Sequence, residues 1–229
     1  MQRHERYAFL CLAGGDLSRC CRKEQTFLYP IALAQTLAWF FCIIDELFRS
    51  PGGEILASAI GEKYPTGHCG YCGKFPCVCK EASRPPNAPE PRSPTQFAWT
   101  LREWQQHLDA LYGPNNRKVG IDRVINRFLE EVMEVGLVLY NVDGFNESLE
   151  KTRDRLAREM ADILAWIFAI AVVLDIDLER AVLDLYGQGC PVCHTTPCSC
   201  RSFERRPRTG TLTHRFMSAE EIHQLLYPG

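Results

Sequence analysis

The sequence predicts an all-α protein made of two tandem helical-bundle repeats, each followed by a four-cysteine zinc knuckle. Three observations carry that expectation. Apolar residues recur at helical spacing along most of the 229 residues, and no run alternates with period two for long enough to argue a strand. The segment Cys69-Gly-Tyr-Cys72-Gly-Lys-Phe-Pro-Cys77-Val-Cys79 returns as Cys190-Pro-Val-Cys193-His-Thr-Thr-Pro-Cys198-Ser-Cys200, with every cysteine and the proline before the third in register. Upstream, Ala34-Gln-Thr-Leu-Ala-Trp39-Phe-Phe matches Ala161-Asp-Ile-Leu-Ala-Trp166-Ile-Phe, and Tyr64 matches Tyr186 shortly before each cluster.

Taken in order, residues 1–80 form the first repeat with its knuckle. Two arginines and a histidine precede the apolar run 7–13, which imitates a short signal peptide. That run sits at the lower length limit and lacks a clear small-residue cleavage pattern before Asp16, so it is read as part of the fold. The apolar stretch 27–48 is interrupted by Pro30, Gln35 and Asp45, and the stretch 160–176 is short and contains Asp162; both read as buried core helices, with no membrane partner expected. Residues 81–96 carry Pro85, Pro86, Pro89, Pro91 and Pro94 and read as an extended linker, since proline fixes φ and removes backbone donors.

Residues 97–200 are the second repeat. Leu101, Trp104, Leu108 and Leu111 mark an amphipathic helix over 97–112, ended by Gly113 and Pro114. Helices follow over 120–140, 149–174 and 177–186, the last with Asp175 as its N-cap. In the tail, 201–229, Ser218-Ala-Glu-Glu221 is a capping box opening a short helix, and Arg205, Arg206 and Arg208 read as a solvated segment. With a net charge of −2, nothing in the overall balance points to nucleic acid or an anionic membrane.

The chemistry concentrates in residues 128–173. Glu130, Glu131 and Glu134 lie on one helix, Glu159 and Asp162 on the next. Residues three or four apart share a helix face, so if the two helices pack antiparallel these acids converge. Asp162 shares its face with Trp166, Ala169 and Val173, where a carboxylate is costly to bury without a cation or donors, and no Lys or Arg lies on that face of the same helix. An oxygen-only shell suits Mg²⁺ or Mn²⁺, a hard cation that most often serves phosphate substrates. When the repeats are aligned, Leu10-Cys-Leu-Ala-Gly-Gly-Asp16 lies on Phe128-Leu-Glu-Glu-Val-Met-Glu134. Glu130, Glu131 and Glu134 then face Leu12, Ala13 and Asp16, while Glu159 and Asp162 face Ala32 and Gln35. The first repeat keeps the scaffold and loses most of the acids.

The pattern Glu130-Glu131-x-x-Glu134, then Glu159-x-x-Asp162, resembles the signature of the all-α nucleoside triphosphate pyrophosphatases, the superfamily of MazG-like proteins and dimeric dUTPases. Leu101 to Trp104, Tyr112-Gly-Pro-Asn-Asn-Arg117 and Ile176-Asp-Leu-Glu179 extend the resemblance. It implies Mg²⁺-dependent hydrolysis of a (d)NTP to a nucleoside monophosphate and pyrophosphate. Glu131, Glu134, Glu159 and Asp162 would be metal ligands, and Glu130 a supporting group or the base that orients the attacking water. Family members commonly carry an Asn late in the second acidic helix and a Lys before the final Tyr; this chain has Val172 and Val173 near the first place and Leu185 at the second. The first repeat has Lys63-Tyr64 at the matching position, which suggests a pseudo-dimer with one composite site into which Lys63 reaches. Arg117 and Lys118 are further phosphate candidates, weighed against plain surface charge. Trp104, Trp166 and Phe168 are candidates for the base or for core, and a further pairing into a homo-oligomer stays open. A non-catalytic nucleotide-binding or scaffold protein is the alternative.

The chain's twelve cysteines would suggest disulfides in a small secreted protein, but eight fall in the two clusters Cys69, Cys72, Cys77, Cys79 and Cys190, Cys193, Cys198, Cys200. Four thiolates spaced Cys-x2-Cys-x4-Cys-x-Cys can close around one tetrahedral Zn²⁺ with no position left for water, so the expected role is structural and the expected compartment a reducing cytoplasm. His68 and His194 could each substitute for one cysteine as a ligand, but are read first as exposed neighbours; Cys11, Cys20, Cys21 and Cys42 read as core or inert thiols.

Overall fold

The computed structural model describes residues 3–48, 52–79, 99–140, 149–191 and 193–196; among them all regular structure is helical. The linker 81–96, the tail with its capping box, Cys198 and Cys200 lie outside the described residues.

Helix α1, Arg3–Arg22, buries Leu10, Leu17 and Cys20 on one face, and α2, Tyr29–Phe48, follows a single 3-10 turn. Helix α2 touches α1, α3, α6 and α7, which is why it is apolar nearly all round. The window Thr26–Asp45 is long and apolar enough to cross a membrane, and 44% of it is buried inside this fold. Helix α3, Gly52–Lys63, packs on α6. In the second half come α4 (Leu101–Val119), α5 (Ile121–Leu139), α6 (Leu149–Val173) and α7 (Leu178–Tyr186). The α1/α2 and α5/α6 hairpins meet through α1 against α5 and α2 against α6, while α3 crosses to α6 and α7 crosses to α2.

The α1–α5 crossing depends on two glycines. A Cβ at Gly14 would lie 2.8 Å from a ring carbon of Phe128, and one at Gly136 would collide with the Tyr7 hydroxyl. That hydroxyl donates to the Val132 carbonyl at 2.9 Å. One contiguous core joins both halves, from Leu10, Leu37 and Phe40 to Phe128, Met160 and Phe168. Phe168 is therefore core, and Trp104 packs against Trp99 and His107.

Three helix boundaries differ from the sequence reading; α4 starts at Leu101 and not at 97, behind a capping box of Thr100 and Glu103. Helix α4 runs through Gly113 and Pro114 to Val119. Proline denies a donor to the Ala110 carbonyl, but the Asp109–Arg117 pair, at 2.7 and 2.9 Å, closes over the same stretch. Gly113 makes that possible, since a Cβ there would collide with Asp109 Oδ1. Asp175 does not cap α7. With φ of 56° it is the left-handed residue ending α6, in a Schellman turn where Ile176 N–H bonds Ala171 O at 2.8 Å and Asp175 N–H bonds Val172 O at 3.3 Å. The cap of α7 is Asp177, which accepts from Arg180 N–H at 2.9 Å. Glu24 ends α1 in the same way, with φ of 53°. Of the thiols outside the clusters, Cys20 and Cys21 are buried, whereas Cys42 is exposed on α2.

Candidate active site

Helices α5 and α6 bring three carboxylates together. One oxygen each of Glu131, Glu134 and Glu159 lie within 4.8 Å of one another, close enough to share a cation. Glu131 and Glu134 sit beside the buried stripe Phe128, Val132 and Val135, which fixes that face of α5 against the core. Burial first, then the charges of Asp162 and Glu134, push the Glu131 carboxyl up to about 7; burial likewise raises Glu159. Trp166 Nε1 donates to Glu131 Oε1 at 3.3 Å, holding the side chain from α6.

Asp162 takes its partners from the first half of the chain. The Lys63 ammonium forms an ion pair with Asp162, and also donates to the Arg158 carbonyl at 3.1 Å. The Tyr64 hydroxyl donates to Asp162 Oδ1 at 2.7 Å. Burial first, and then the Asp162 charge, hold the Tyr64 phenol well above its ordinary range. Asp162 is only 15% exposed and Lys63 25%, so the pair is sheltered from water. Lys63 closes the last turn of α3, where the helix dipole also favours a cation.

The remaining candidates lie elsewhere. Glu130 is 54% exposed and pairs with Arg127 at 2.6 Å, outside the cluster. Arg117 is committed to Asp109, and Lys118 is exposed. Beside the acids opens a cavity of about 440 Å³. Glu131, Asp162 and Trp166 line it, with Asn115 and Asn116 from α4 and with Arg123 and Arg127 from α5. The sequence reading missed these two arginines. Their signal is helical register, since they precede Glu131 by eight and four residues and so share its face. Val172 also lines the cavity.

The thiols of Cys69, Cys72, Cys77 and Cys79 lie within 4.8 Å of one another and can hold a metal such as zinc. Backbone N–H groups of Tyr71 and Cys79 point at Cys69 Sγ and Cys77 Sγ, each at 3.4 Å. Against burial, backbone donors from Val78 and Lys74 bring the Cys72 thiol down to about 6, whereas burial raises Cys77 and Cys79. Of the second cluster the described residues include Cys190 and Cys193. The turn there repeats the first. Cys69 N–H bonds Lys74 O and Gly73 N–H bonds Cys69 O, just as Cys190 N–H bonds Thr195 O and His194 N–H bonds Cys190 O. Gly73 has φ of 66° and His194 has φ of 56°, so the histidine occupies the left-handed position of the turn and its side chain is exposed.

Compared with protein-family models, with curated proteins and with solved structures, the chain matches none.

Proposed function

We propose that the protein is a Mg²⁺-dependent nucleoside triphosphate pyrophosphohydrolase, converting a (d)NTP to the monophosphate and pyrophosphate, and that its two halves form a pseudo-dimer with one composite site. The carrying observation is the pairing of Lys63 and Tyr64 from one half with Asp162 of the other, beside the Glu131, Glu134 and Glu159 cluster. The exchange of α3 onto α6 and α7 onto α2 supports the pseudo-dimer.

Glu131, Glu134 and Glu159 would hold Mg²⁺ or Mn²⁺, which when bound neutralises phosphate charge and acidifies a water. Asp162 holds Lys63 at the cluster's edge, where its ammonium stands ready for a phosphate oxygen. Arg127, steadied by Glu130, faces the same cavity, which gives Glu130 a positioning role instead of direct contact with water. A carboxylate oxygen of this cluster left uncoordinated by the cation would receive the proton of the attacking water. The water oxygen bonds to the α-phosphorus, the bridging P–O bond to the β-phosphate breaks, and pyrophosphate leaves. The first four-cysteine cluster would hold structural Zn²⁺, and the second, whose turn it shares, would hold another.

The second reading, a nucleotide-binding scaffold without turnover, has Val172 in the cavity wall and the buried Leu185 in its favour. Pyrophosphate release from a panel of dNTPs with and without Mg²⁺ separates the two, with Glu134→Gln as the control.

A further inference from the structure

The first four-cysteine cluster borders the cavity beside the acids. Cys69, Tyr71, Cys77 and Cys79 line the same cavity of about 440 Å³ as Glu131 and Asp162. The segment is docked on α4: Cys77 N–H donates to the Leu111 carbonyl at 2.8 Å, and Asn115 Nδ2 donates to the Cys77 carbonyl at 2.9 Å. Beneath it, Leu111 and Tyr112 pack against Cys69 and Cys77. The same segment is tied to Lys63. A Cβ at Gly70 would stand 3.0 Å from the Lys63 carbonyl oxygen, so the turn between the first two cysteines lies against the backbone of the residue whose ammonium engages Asp162.

Tyr71 lies inside that turn. Its backbone N–H is bound to Cys69 Sγ at 3.4 Å, and its side chain is 42% exposed on the cavity wall. A segment this short has little apolar core of its own, and a metal at the four thiols is what gives such a segment its shape. The cavity lining divides by chemistry into carboxylates and arginines suited to a metal-bound triphosphate, and rings and amides suited to a flat heterocycle.

We infer that Zn²⁺ in the first cluster builds one wall of the nucleotide cavity, and that Tyr71 on this wall is a contact for the nucleobase. The inference rests on the nucleotide reading above. Base stacking on an aromatic ring tolerates any base, so Tyr71 sets affinity, while Asn115 and Asn116 offer donors and acceptors that can select a base edge.

The test measures equilibrium binding of the α,β-imido analogues of four dNTPs, and of imidodiphosphate, in the presence of Mg²⁺. Tyr71→Ala, with the zinc cluster intact, is expected to weaken the nucleotide analogues about tenfold and to leave imidodiphosphate within about twofold, because only the base loses its contact. Tyr71→Phe keeps the ring and is expected to bind as the wild type does. Stripping zinc with a chelator is expected to weaken the nucleotide analogues at least as much, with the helical circular dichroism retained and binding restored by added Zn²⁺. Unchanged nucleotide affinity in Tyr71→Ala overturns the inference, as does an equal loss of nucleotide and imidodiphosphate. Stripping that melts the helices together with the knuckle overturns the local role given to the metal. Wild-type protein that binds imidodiphosphate but no nucleotide analogue sinks the nucleotide reading itself, an outcome distinct from any of these.

Discussion

The end of α3 on α6 and the end of α7 on α2, places that the sequence alignment of the two halves pairs, are opposite environments. At the first, Lys63 and Tyr64 engage Asp162. At the second, the aligned pair is Leu185 and Tyr186, and Leu185 packs with Ala181 on Ala34, surrounded by Ile31, Ile176 and Val182. The aligned counterparts of the metal-ready glutamates have followed: Ala13 is buried where Glu131 stands, and Asp16 is buried and paired with Arg19 where Glu134 stands. One corner has stayed polar at a cost in like-charge repulsion. The other has been turned into core, and contributes packing to the fold that carries the first. Helices α2 and α6 each receive a helix from the other half of the chain.

That contrast can be broken most severely at the carboxylates. Glu131→Gln or Glu134→Gln is expected to lower Mg²⁺-dependent pyrophosphate release by roughly a thousandfold, the scale of removing a ligand to a transition-state charge. Mutating the counterpart Asp16→Asn should leave turnover within about twofold, since its partner is Arg19 and not the cluster. Next comes the ion pair across the halves. Lys63→Ala is expected to cut kcat/KM by about a hundredfold and to lower stability by roughly 1–3 kcal/mol in denaturant melts, because it leaves Asp162 sheltered without its cation. The reciprocal change, Leu185→Lys, should be worse for the fold and useless for activity: an ammonium pushed against Ala34 costs about 2–4 kcal/mol.

The smallest effect is in the pH dependence of the metal-free protein. Glu131 binds its proton more tightly folded than unfolded, so the native state holds more protons and stability falls as pH rises from the unfolded value of 4.5 through about 7. His107 works in the opposite sense, since burial lowers its pKa and its contribution is lost on acidification through 6.5. Comparison with Glu131→Gln isolates the carboxyl. At pH 8 the variant's metal-free melting temperature should exceed that of wild type by about 3 °C, and the gap should close towards pH 5. Added Mg²⁺ should reverse the order, raising the wild type alone.

Much of this was legible before any coordinates. Helical periodicity gave the all-α class, and the acids at i and i+3 spacing fall on facing helices because α5 and α6 are a hairpin. The repeat pointed to Lys63-Tyr64, but as a phosphate contact; that both side chains engage Asp162, expected as a metal ligand, is a finding of the structure. What could not be read was long-range placement. Nothing in the spacing of Cys69 to Cys79 says that this segment docks on α4, where its hydrogen bonds join the Leu111 and Cys77 backbones and the Asn115 side chain, far away in sequence. The continuation of α4 past Pro114 was hidden for a related reason, since it goes with a side-chain pair eight residues apart, Asp109 with Arg117, over a glycine. The resemblance implies a supporting or base role for Glu130 beside Glu131; one step of helical rotation puts it out with Arg127.

The central claim is that one catalytic corner is assembled from both halves. Steady-state pyrophosphate release from a dNTP panel, run with Mg²⁺ on wild type, Lys63→Ala and Glu134→Gln, tests it most directly. The account predicts Mg²⁺-dependent turnover that falls about a hundredfold without the Lys63 ammonium and further without Glu134. Turnover that persists unchanged in Lys63→Ala, in a protein whose melting shows the fold intact, would contradict the composite site.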